Sequence, residues 1–100
     1  MGSDRARVIS AESRPRLAPK VRLRFDRKAG QYMLLYPEKG LALNPTAAAI
    51  VKLCTGERTV GTIVDQLLAD YRAGPRETVE RDVFTFFETL ADRGLLTDEP

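Results

Sequence analysis

Few side chains in this chain can do covalent chemistry. Cys54 is its single thiol and it has no histidine, so the commonest general base, the usual metal ligand and every Ser–His or Cys–His nucleophile pair are missing. Carboxylates remain, but nothing clusters them around a nucleophile. Cys54 falls on the apolar stripe of an expected helix, where a small thiol is a packing residue. Gly56 alone is too little for a phosphate loop. What the chain does carry is equipment for recognition. Phe84, Phe87 and Ala91 form an apolar shoulder beside the core stripe of an expected third helix, and Leu41, Ala42 and Leu43 form a short strand. Together they make the two walls of a groove that takes a peptide's apolar side chains while its backbone pairs with the strand. The plainer alternative is that Phe84 closes the core.

The elements that hold these walls follow from local signals. Val21, Leu23 and Phe25 alternate with Arg22 and Arg24, which predicts a strand with one buried face. Gln31 to Tyr36 is a second strand, apolar on both faces, and Leu41 to Leu43 is the third. Asn44 is a helix cap with Pro45 at the first helical position. Ala47, Ile50, Val51 and Cys54 then follow helical spacing, and Gly56 is expected to close that helix. Thr59 caps a second helix whose stripe runs from Val60 through Leu67 and Leu68 to Tyr71. After Gly74 and Pro75 a third helix spans Arg76 to Arg93, with Val79, Val83, Phe86, Phe87 and Leu90 inward and Gly94 at its end. The predicted fold is α+β and winged-helix-like, a three-stranded antiparallel meander followed by three helices. Residues 1–14 read as a disordered tail and 15–97 as one domain. Leu17 is expected to dock on its body.

Composition narrows the function. An apolar share of 43% and a charged share of 30% are ordinary for a globular chain. No apolar run nears the roughly 20 residues that span a bilayer, and the polar N-terminal stretch is unlike a signal peptide, so a cytoplasmic location is expected. Residues 1–30 carry nine basic and three acidic side chains, +6, against seven and eleven, −4, in residues 31–100. In the third helix, Glu77, Glu80, Asp82, Glu88 and Asp92 outnumber Arg76, Arg81 and Arg93. A recognition helix of that sign is badly suited to DNA, where phosphate neutralisation dominates affinity. A non-catalytic peptide-binding module is therefore preferred over a DNA-binding regulator. Arg22 and Arg24 offer a basic strand face for a partner protein. A three-stranded sheet with open edges also permits strand-paired homodimers.

The chain resembles the coenzyme PQQ synthesis protein D (PqqD) family. The resemblance is carried by Pro15-Arg16-Leu17, Val21 to Asp26, Leu34 to Glu38, Leu43 to Ile50, Leu53 to Val60 with Ile63 and Val64, and Val83 to Leu96, which ends FFETLADRGLL. It covers about residues 15–96. Where many relatives have an acidic residue soon after the second-helix cap, this chain has Gly61 and Thr62. The resemblance implies a peptide chaperone with no cofactor, which binds the precursor peptide PqqA and presents it to the radical SAM enzyme PqqE. A recognition domain for another such peptide-modifying system is the neighbouring possibility. In related domains the leader peptide adds as a strand beside the third strand and lies against the third helix. On this chain those elements are Leu41, Ala42, Leu43 and the shoulder of Phe84, Phe87 and Ala91; charge alone, apart from the resemblance, offers Arg22 and Arg24 to the enzyme.

Overall fold

Alternating side chains in the first half and helical spacing in the second build two layers. The structure, a computed structural model, describes residues 9–37, 39–71 and 74–99. The meander consists of β2 (Arg22–Asp26), β3 (Gln31–Tyr36) and β4 (Lys39–Leu43), antiparallel in the order β2-β3-β4. Its register sets Leu23 opposite Leu34 and Leu34 opposite Leu41, so these residues share one face. Leu34 is fully buried there. The helices are α1 (Pro45–Lys52), α2 (Val60–Tyr71) and α3 (Arg76–Asp92). They bury Ile50, Val60, Ile63, Val83, Phe87 and Leu90 against that face. The fold is α+β, a three-stranded antiparallel sheet with three helices, as predicted.

The caps act as their residue types require. Asn44 has extended backbone and its Oδ1 accepts the Ala47 N–H at 2.7 Å. With Pro45 next, the chain passes from strand to helix in one residue. Thr59 Oγ1 accepts the Thr62 N–H at 3.2 Å and meets the Thr62 hydroxyl at 3.0 Å. At the end of α3, Gly94 takes a φ of 75°, its N–H bonds to Ala91 and the Leu95 N–H reaches back to Leu90. That double return satisfies the last carbonyls of the helix.

The main departure from expectation is a second sheet. β1 (Arg14–Leu17) pairs antiparallel with β5 (Leu96–Glu99), from Arg14 opposite Glu99 to Leu17 opposite Leu96. The expected polar tail after Leu96 is thus a strand. On its other side β1 bridges Thr55 through Arg16, and the Gly56 N–H bonds the Pro15 carbonyl. Gly56, with a φ of 85°, makes this turn rather than closing the first helix. That helix ends at Lys52, and Leu53 caps it. Part of the stretch expected as a tail, from Ile9 on, is folded. Residues 1–8 lie outside the described residues, but Ile9 and Ser13 are buried. The carbonyls of Ala11 and Ser13 accept the N–H groups of Gly61 and Val60. These are donors that a helix start leaves unpaired, so α2 is capped by distant backbone and by Thr59, and needs no acidic residue at position 61 or 62.

Two aromatic residues expected inside are open. Phe25 is 49% exposed, although it shares a face with Leu23, and Tyr71 is 61% exposed at the last residue of α2. Both line one open hollow of about 310 Å³, together with Tyr32, Leu43 and Lys52. Phe25 contacts Tyr32 edge-on, with ring centroids 5.0 Å apart, and Lys52 Nζ sits 4.3 Å from the Tyr32 ring centre.

Candidate peptide-binding edge

β4 pairs with β3 on one side, and among the described residues no strand pairs with the other. Two residues separate Tyr36 from Lys39, and these two are opposite each other. A turn that tight is closed by a hydrogen-bonded pair, and pairs then alternate along an antiparallel ladder. Lys39, Leu41 and Leu43 therefore bond inward to β3. Gly40 and Ala42 aim their N–H and C=O groups out from the edge. An extended chain could bond to those groups. Leu41 is half-buried and Leu43 buried, so their side chains anchor the strand, while Ala42 is exposed.

Two hollows lie near the ends of this strand. One, of about 420 Å³, lies between the three helices, lined by Pro45, Thr46 and Ile50 of α1, Tyr71 of α2 and Asp82 and Val83 of α3. Another, of about 550 Å³, joins Tyr36, Pro37 and Lys39 at the start of β4 to Arg93 at the end of α3. The first hollow thus has α3 residues in its wall, and the second has Arg93, which caps α3.

Asp82 and Arg93, one in the wall of each hollow, mark one flank of α3. At about 100° per residue, Asp82, Phe86 and Arg93 fall within about 40° of one another. Phe86 lies midway along this flank, partly buried against the core with its ring centre 6.2 Å from that of Phe87. Phe84 and Ala91, also partly buried against the core, lie about 160° and 140° round the helix from Phe86, on the far side of the buried stripe. Phe87 is on the stripe itself and 0% exposed. Leu41, Ala42 and Leu43 are consecutive in β4 and Phe87 is buried in the core, while Phe84 and Ala91 pack partly buried on the other side of the α3 stripe. Phe86 is the residue that sequence reasoning assigned only to the core. Its place on the flank of Asp82 and Arg93 follows from helical spacing.

Arg22 and Arg24 are exposed on the face of the sheet turned away from the helices, opposite Leu35 and Met33. Cys54 is buried, with its Sγ–H toward the Ile50 carbonyl at 3.2 Å, and burial pushes its thiol up to about 12. It is a packing residue and a poor nucleophile. Among the described residues no three His, Cys, Asp or Glu side chains are grouped to hold a metal ion. No helix there is long and apolar enough to cross a membrane.

Comparison with known proteins decides the lineage. The family model for coenzyme PQQ synthesis protein D (PqqD) matches residues 31–96. The chain belongs to the PqqD family. It is 40% identical over 98 residues to the "PqqA binding protein" of Bradyrhizobium diazoefficiens, covering 98% of this chain and 94% of that one. It is 37% identical over 89 residues to the "Bifunctional coenzyme PQQ synthesis protein C/D" of Methylorubrum extorquens, 89% of this chain but 24% of that longer protein. The fold matches the solution structure of the PqqD truncation of Methylobacterium extorquens PqqCD, described as a functional, stand-alone RiPP recognition element. That match has a TM-score of 0.78 at 33% identity, and covers 96% of this chain and 98% of the other. In this PqqD-family chain the open β4 edge is thus set in the fold of a peptide-recognition element.

Proposed function

We propose that this chain binds the precursor peptide PqqA in pyrroloquinoline quinone synthesis and presents it to the radical SAM enzyme PqqE, without catalysing a step itself. The observation that carries this reading is the β4 edge, which no strand pairs among the described residues. The peptide adds as a strand on Gly40 and Ala42. Its side chains on the inner side meet the α3 flank of Phe86, and the two hollows receive what projects beyond either end of the strand. Leu41 and Leu43 hold the edge in place from the core side. The names of the relatives agree, since several are called PqqA binding proteins. The shoulder of Phe84, Phe87 and Ala91 remains part of the proposal, with Phe87 as a supporting core residue and Phe84 as the competitor to Phe86.

Titration of labelled protein with synthetic PqqA tests it. Saturable binding should shift the amide resonances of Lys39 to Asn44. Phe86→Ala should weaken the affinity by about tenfold, the scale of a single apolar anchor, and Phe84→Ala by much less. The reverse order would move the groove to the other flank of α3. No amide shift in β4 would sink strand addition.

A further inference from the structure

The meander has a second surface that the peptide reading leaves unused. Its register places Arg22, Leu35 and Gly40 in one row across the sheet, and Arg24, Met33 and Ala42 in the next. These side chains alternate with the helix-facing ones and point outward. The outer face is therefore a basic column on β2, an apolar column on β3 and a nearly bare one on β4. A Cβ on Gly40 would lie 3.2 Å from Met33 Cε and 3.4 Å from Leu35 Cδ2, so the β3 side chains lean over β4 into the space Gly40 leaves. The depressions at either end, about 360 and 400 Å³, are lined by Arg24, Arg27 and Lys28 and by Lys20 and Arg22, with Leu35 common to both.

The charges here are unbalanced. Residues 20–28 hold five cations and one carboxylate, Asp26. Asp26 Oδ1 is engaged with the N–H groups of Lys28 and Ala29 at 2.9 and 3.3 Å. Among the described residues the ion pairs are those of Arg76 with Asp65 and Glu80, so no carboxylate there pairs with these cations.

We propose that this outer face docks a folded protein whose surface carries carboxylates around an apolar centre. An apolar middle with a charged rim is how protein interfaces are built. Met33 and Leu35 would offer a phosphate backbone nothing. A second copy joined face to face would oppose the same cations, since a two-fold interface meets itself. The face shares Gly40 and Ala42 with the β4 edge, so a protein seated on it also touches a peptide strand added there. Resting on the peptide reading, that protein is the enzyme that receives the peptide.

The double variant Arg22→Glu/Arg24→Glu tests this with PqqE as the probe, in binding titrations at low and high salt. Wild-type protein should bind the enzyme with a salt-sensitive affinity. The variant should bind it at least about tenfold more weakly, as expected for reversed interface charges, while PqqA affinity stays within about twofold. Amide shifts from the enzyme should fall on Arg22 to Arg24 and Met33 to Leu35. Should the variant fail to fold, Arg24→Ala and Lys28→Ala carry the same test singly. Enzyme binding unchanged by the substitutions, or absent in the wild type with and without peptide, overturns the proposal. So does duplex DNA retained through these residues while enzyme binding stays intact. PqqA binding without enzyme binding leaves the peptide reading standing and this inference fallen. Enzyme binding through this face without PqqA binding does the opposite.

Discussion

β1 has a neighbour on each side, β5 and the Thr55–Gly56 segment, whereas β4 has β3 on one side and, among the described residues, no strand on the other. Both are short antiparallel strands next to the same core. The first spends its backbone groups inside the molecule and holds the N-terminal segment, the α1–α2 connection and the C-terminal strand together. The second keeps alternate groups uncommitted at the sheet edge. In a chain of 100 residues, the contrast separates a clasp from a docking edge.

The largest effect should come from the clasp. Leu96 is buried where β5 meets the core, and Leu96→Ala should lower unfolding stability by about 2–4 kcal/mol, as buried leucine truncations do. Urea titration measures it, and PqqA affinity under native conditions should hardly change. A loss of affinity matching the loss of stability would erase the distinction between the sheets.

Ala42→Pro probes the other side. Proline removes one outward N–H from an edge strand, where it is structurally tolerated, so stability should hold while PqqA affinity falls by about tenfold, near 1.4 kcal/mol. Unchanged affinity in a calorimetric titration would mean that the edge is not used. Asn44→Ala, which removes the cap at the junction of β4 and α1, should cost about 1 kcal/mol of stability. It should also loosen the C-terminal end of the edge, visible as faster amide exchange at Leu43.

The smallest effect lies in the core between the two sheets. Burial raises the Cys54 thiol from 9.0 to about 12. The unfolded chain ionises first, so the stability tied to the neutral thiol is complete below pH 9.0 and is lost as pH rises toward 12. Cys54→Ala should flatten that alkaline decline in melting temperature relative to wild type. An identical decline would assign it to other groups.

The clasp was also the part least legible in the sequence. The caps at Asn44 and Thr59 and the stop at Gly94 are local signals that involve neighbours three or four residues away, and each proved to act. The strand alternation around Arg22 and Arg24 was equally direct. Arg14 and Glu99, by contrast, find each other across almost the whole chain, and Thr97 and Asp98 read as a polar tail because a two-stranded ribbon on the surface needs no apolar alternation. The capping of α2 by Ala11 and Ser13 left no trace but the missing acid after Thr59. For the site, the strand edge could be read from the count of strands. The flank of α3 could not. Helical spacing shows that Phe84 and Phe86 border the buried stripe on opposite sides, and only the way the helix lies across the sheet decides which of them overlooks β4.

Pairing Arg14 with Glu99 brings the start of β1 beside the end of β5. A domain closed in this way can be hung from a larger protein by a single tether, at either end, without pulling its structure open. The longer Methylorubrum extorquens protein, of which the matched region is 24%, shows that evolution has used such an attachment. Circular permutation, with a linker from Glu99 to Ile9 long enough to leave Ala11 and Ser13 on α2 and new ends cut in the turn after Asp26, should for the same reason yield a folded protein.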